Sequence, residues 1–165
     1  MAQPAIDNSD MNITKQEIQK IRIENARSLD PIDVYLEDVG AGQGKITMTC
    51  YGESWCAYWG GMGERNIAQF FCSCDEHYIA NRMSAISSSM VDIDKIRDDA
   101  REIDPLLAYE VPDVINSNDS DLIVKIYGGN MWDISLPEKP NPKYQYLCKI
   151  ILAVQAALKQ LELDK

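Results

Sequence analysis

Apolar residues fall on every second position from Lys45 to Trp59, and this alternation constrains the fold more than any other feature of the chain. Ile46, Met48 and Cys50 share one side of the first half; Trp55, Ala57 and Trp59 share one side of the second. A period of two sends successive side chains to opposite faces of a strand. Between the halves stands Tyr51-Gly-Glu-Ser, a run of turn chemistry. The spacing predicts a β-hairpin with one buried face. Cys56 and Tyr58 fall on the other face of its second strand. That strand is therefore expected to be covered on both sides, or to offer one face as a contact surface.

The same period appears upstream. Ile21 and Ile23 alternate with charged residues, Pro31 breaks the pattern, and Ile32, Val34 and Leu36 resume it. With the hairpin these segments make a four-stranded antiparallel meander. The loop Gly40-Ala-Gly-Gln-Gly supplies three glycines, but no Lys-Ser/Thr follows and a strand succeeds it, so it does not read as a phosphate cradle. After Gly60-Gly-Met-Gly the period changes to helical. Asn66 is the expected N-cap, with Gln69 as its capping-box partner. One amphipathic helix is expected from there to about Met83, with Ile67, Phe71, Cys74, Tyr78 and Arg82 along one stripe.

Further helices are expected over 91–104, with Ile93, Ile96, Ala100 and Ile103 inward, and over 143–163. Segment 122–127 reads as a strand or a helix end, and 131–136 as a returning strand. Pro137, Pro140 and Pro142 read as a stiff connector. Residues 1–12 are polar and expected to be disordered; 13–165 are expected to form a single domain. The resulting fold class is α+β: the meander packed against the helix 66–83 and the C-terminal helix, with the acidic helix 91–104 as an outer layer.

Charge narrows the function. Asp and Glu number 26 against 16 Lys and Arg, a net charge of −10. Direct binding to nucleic acid or to an anionic membrane is disfavoured by that balance. Ten of the acids and three of the bases lie between Asp92 and Asp121. No apolar run approaches the roughly 18–20 residues of a membrane span, and the amino terminus lacks the pattern of a signal peptide. Five cysteines, an odd number, fit reduced thiols in a cytoplasmic setting.

Three constellations carry chemistry. Cys72-Ser-Cys-Asp-Glu-His77 groups soft ligands, with Cys56 on the hairpin. But Cys72 and Cys74 point to opposite sides of a helix and cannot grip one zinc ion together. A Cys–His nucleophile has to use His77, the one histidine of the chain. Metal and cofactor are accordingly expected to be absent, while a thiol- or zinc-dependent enzyme built on Cys56, Cys72, Cys74 and His77 remains the rival reading. The third constellation is the acidic helix. Asp92, Asp98, Asp99 and Glu102 are candidate contacts for a basic or nucleic-acid-binding protein, with Tyr58 and Trp132 as aromatic anchors. Such an array also invites comparison with the charge spacing of a phosphate backbone. A self-associating protein, dimerising through exposed Trp and Tyr, is a further reading.

The segments Cys50-Tyr-Gly-Glu-Ser-Trp-Cys-Ala-Tyr-Trp-Gly-Gly-Met-Gly, Phe70-Phe-Cys-Ser-Cys-Asp-Glu-His-Tyr-Ile and Tyr146-Leu-Cys-Lys-Ile-Ile-Leu-Ala-Val-Gln-Ala-Ala-Leu resemble small proteins encoded in tailed phages and prophages of enteric bacteria. The resemblance covers Lys20 to Cys74 and the last helix, and it carries no activity and no catalytic residues. It implies the cytoplasm of a host cell and an accessory protein that acts by binding something of the host. With the charge reading, the expectation is a non-enzymatic protein that binds a host protein through its acidic surface.

Overall fold

The computed structural model describes residues 10–163. Most of the N-terminal segment 1–12 that the sequence marks as disordered lies outside them. The order of elements is β1 (Gln19–Ile23), β2 (Ile32–Gly40), β3 (Gln43–Cys50), β4 (Glu53–Trp59), α1 (Ile67–Ser73), α2 (Glu76–Met83), β5 (Ser89–Val91), α3 (Ile93–Ile103), α4 (Ser120–Tyr127), β6 (Glu138–Pro140) and α5 (Pro142–Leu163). The fold is α+β. The chain divides into two compact units, Met1–Ser73 with Ala157–Lys165, and Cys74–Ala156.

In the first unit the strands form the expected meander, antiparallel throughout in the order β1-β2-β3-β4. Its register follows the alternation. Ile32 opposes Cys50, Val34 opposes Met48, and Leu36 opposes Ile46; Met48 opposes Trp55 and Ile46 opposes Ala57. These side chains are all buried, so one face of β2–β4 is a continuous apolar layer. The other face is solvated and ties strands by charge: Asp33 pairs with Lys20 at 3.4 Å and with Arg22 at 3.1 Å. Cys56 and Tyr58 lie exposed on that face, so β4 is covered on one side only. The hairpin turn is the two-residue type that right-twisted strands favour, with Tyr51 at φ 49° and Gly52 at φ 80°.

Two glycines let the next segment close over the sheet. A Cβ on Gly42 would stand 2.3 Å from the Gly63 carbonyl oxygen, and one on Gly44 would stand 2.7 Å from Ile67 Cβ. The glycine-rich loop is thus a packing device, with Met62 N–H bonded to the Gly42 carbonyl at 2.8 Å. The capping box forms as expected: Gln69 N–H donates to Asn66 Oδ1 at 2.8 Å and Asn66 N–H to Gln69 Oε1 at 3.1 Å. Asp38, from the bulged end of β2, accepts from Ile67 N–H at 2.7 Å and anchors α1 to the sheet. Phe71 and Ile67 go inward, and Phe70 tilts against Trp59 with ring centroids 5.5 Å apart.

The single helix expected over 66–83 is two helices. Ser73 Oγ donates to the Phe70 carbonyl at 2.7 Å at the end of α1. Asp75 then caps α2, accepting from His77 N–H at 2.9 Å and Tyr78 N–H at 3.2 Å. The predicted stripe is broken accordingly: Tyr78 is exposed, and Ile79 and Ala80 are buried instead.

The second unit has its own core of Ile96, Ala100, Leu107, Ala108, Val111, Ile123 and Ile126. Segment 122–127 belongs to α4. The returning strand expected over 131–136 is a 3-10 turn, Met131–Asp133, started by Asn130, whose side chain accepts from Trp132 N–H. The proline-rich connector supplies β6, which pairs antiparallel with β5. Ile103, expected inward on α3, is exposed. α5 starts with Pro142 in the first turn, where its missing N–H costs nothing, and Asn141 Oδ1 accepts from Lys143 N–H at 3.1 Å. Leu147, Ile150, Ile151, Val154 and Leu158 form its buried stripe. Its last turns, grouped with the sheet, line a depression with Ile21 and Ile23 of β1.

Candidate functional site

The acidic helix is built as much by its bases as by its acids. Asp92 is the N-cap of α3, accepting from Lys95 N–H at 3.2 Å. Lys139 of β6 reaches Asp92 at 3.3 Å and Asp94 at 2.9 Å. Its hydrogen bond, with its charge, holds the Asp94 carboxyl below the usual carboxylate range. Asp99 accepts from Lys95 at 2.5 Å and from the Tyr127 hydroxyl at 2.8 Å; the lysine bond first, then the phenol, lower its pKa. Burial, followed by the bond to Asp99, pushes the Tyr127 phenol well up. Asp98 pairs with Arg101 at 2.5 Å on the open side of the helix. Two of the four acidic contacts named from sequence, Asp92 and Asp99, are therefore structural members of the second unit. Asp98 and Glu102 face solvent.

At the C-terminal end of α3 the surface turns apolar. Leu106 is 71% exposed, Tyr109 87% and Val114 72%, and Ile103, the last residue of α3, is exposed as well. Arg97 ties the region together, donating to the Val111 carbonyl at 3.2 Å and to Asp113 at 2.6 Å. Glu102, Asp104, Glu110 and Asp113 of the same stretch are exposed too. Sequence reading missed these exposed residues because Ile103 fits the inward-facing stripe of α3. The one available signal was Pro105, which ends the helix; beyond it Leu106 and Tyr109 are exposed while Leu107 and Ala108 are buried. Trp132, a candidate anchor from sequence, is 91% exposed. Tyr58 belongs to the first unit, its hydroxyl 3.3 Å from Gln43 Oε1.

His77 does meet a cysteine, though not one named with it from sequence. Cys148 of α5 places Sγ 3.8 Å from His77 Nδ1. The Tyr144 hydroxyl lies 3.2 Å from the same nitrogen and 3.2 Å from Asn81 Oδ1, and its ring stacks on the imidazole. Residues 67 or more positions apart carry no local signal for this meeting. The arrangement does not activate the thiol. Cys148 is buried, and burial together with Glu76 and Asp75 raises its pKa, whereas a nucleophile needs it lowered. Cys72 is likewise raised by burial. Cys74 lies in the break before α2, its carbonyl accepting from Gln155 Nε2 at 2.8 Å. Cys56 is exposed on β4. Among the described residues no group of three or more His, Cys, Asp and Glu is gathered as a metal ion requires. The rival enzyme reading gains no assembled centre from this geometry.

Fold and site together define a small α+β protein. The chain belongs to a phage protein family: the family model Phage_phiTE_072, described as a phage family, matches residues 11–160. No curated protein and no solved structure matches the chain. No helix among the described residues is long and apolar enough to cross a membrane.

Proposed function

We propose that this phage protein is a non-enzymatic accessory protein that binds a protein of the host cell, in its cytoplasm. The observation that carries this reading is the run of exposed apolar side chains Ile103, Leu106, Tyr109 and Val114, interspersed in sequence with exposed carboxylates. Water-exposed side chains of this size gain about 1.5–3 kcal/mol each when buried by a partner, and large exposed apolar groups among polar ones mark candidate interfaces. Asp98 and Glu102 supply carboxylates along α3, and Trp132 is the further aromatic anchor.

Charge selects the partner. The net charge of −10 favours a basic protein and speeds its approach. Lys95, Arg101 and Lys139 hold Asp99, Asp98 and the Asp92–Asp94 pair, so α3 presents alternating signs. That pattern suits a protein with mixed charges and apolar anchors better than imitation of a phosphate backbone, whose charges are all alike. The test is partner affinity across a salt series for the native chain and for Asp98→Lys with Glu102→Lys. The reading expects several-fold weakening between about 50 and 300 mM salt and a further loss in the variant. Affinity indifferent to both would reject the acidic surface.

A further inference from the structure

Inside this acidic region lies one depression walled by cations. It has a volume of about 300 Å3 and is lined by Arg97, Arg101, Ala108, Tyr109 and Val111. Its floor is apolar, since Ala108 and Val111 belong to the buried core of the second unit. Arg97 and Arg101 stand one helical turn apart on α3, so their guanidinium groups project to the same side. Tyr109 stands beside them, almost fully exposed.

We infer that this depression is an oxyanion-binding pocket that receives a carboxylate or phosphoryl group presented by the protein partner. The inference deepens the proposed binding role and rests on it for the identity of the ligand's bearer. The protein itself displays the chemistry. Arg97 already holds the Asp113 carboxylate at 2.6 Å, and the Asp113 side chain is 91% exposed, so an incoming anion meets little resistance in replacing it. Arg101 is engaged in the same way by Asp98, whose side chain is 64% exposed. Arginine forks match the geometry of both anions, and the apolar floor accepts the stem that carries the charge. Asp113 therefore acts as an internal competitor for the pocket.

The experiment titrates the full chain with sodium acetate and, separately, with inorganic phosphate at constant ionic strength, following the Tyr109 ring resonances by NMR. Saturable shifts are expected with at least one anion. Arg101→Gln should weaken that binding about tenfold, the effect of one charged hydrogen-bonding partner lost. Asp113→Asn should tighten it by removing the competitor. Amide dispersion shows that each variant is folded, and Arg101, bound only through a surface ion pair, is the safer of the two arginines to change. Preference for acetate points to a partner's carboxylate, and preference for phosphate to a phosphorylated residue. Linear, unsaturable shifts, saturation unchanged in Arg101→Gln, or weaker binding in Asp113→Asn would overturn the inference. Small anions probe the pocket without the partner, so its failure leaves the apolar-patch reading to stand or fall separately.

Discussion

At the scale of single residues, burial and hydrogen bonding decide which titratable groups are available for chemistry. Cys148 touches an imidazole yet is held as a neutral thiol by burial and two nearby carboxylates, while Cys56 is exposed on β4. Iodoacetamide at neutral pH is expected to label Cys56 first and to leave Cys148 unmodified in the folded protein, as read by peptide mass spectrometry. Rapid labelling of Cys148 would show an activated thiol. Tyr127 provides a second reading. Its raised pKa means that the stability it contributes is complete below about pH 10, the unfolded value, and is lost as pH rises through the folded value. Asp99→Asn removes the charge that helps raise it and leaves at most a neutral acceptor, so the Tyr127 midpoint should move down while burial keeps it above the ordinary tyrosine value; NMR titration of labelled tyrosine measures this. Asp94 and Asp99 are depressed. Their contribution is present above about pH 4 and disappears as pH falls through their folded values. Asp99 has a local partner in Lys95 four residues earlier, but Lys139 and Tyr127 lie far along the chain from α3 and become partners only through the fold.

At the scale of elements, local patterns decided what was legible. The period of two in β2, β3 and β4 fixed strand identity, buried face and pairing, since a one-residue slip would expose the whole apolar layer. The capping box at Asn66 was equally local. The break between α1 and α2 was hidden because the helical spacing of Phe71, Cys74 and Tyr78 runs across it; Asp75 shows its capping role once the chain is allowed to restart there. Asp75→Ala should cost about 0.5–2 kcal/mol, measured by urea unfolding. The short apolar run 122–127 was ambiguous between strand and helix, and the pairing of β5 with β6 sets Met90 opposite Lys139, far along the chain, beyond local inference. Gly44→Ala tests the contact of helix with sheet. The new methyl meets Ile67 and Met62 below 3.0 Å, and overpacking of this kind costs about 1–3 kcal/mol. Unchanged stability would mean that α1 sits farther from β3 than described.

At the scale of the molecule, the proposed contact surface was half legible. Composition and the run of acids led to α3, with Trp132 as a candidate anchor. The exposed apolar run at the end of α3 was not legible, because Ile103 continues the inward stripe in sequence and faces solvent in the folded unit. The central claim is that this run, with the carboxylates among it, is where a host protein docks. Quantitative affinity capture from host lysate tests it most directly, with the native chain and an Ile103→Ser, Leu106→Ser variant side by side and both verified as folded by circular dichroism. The account predicts that a specific host protein is retained by the native chain and that its binding weakens by at least about tenfold in the variant, two exposed anchors having been lost. Equal retention by both proteins would contradict it.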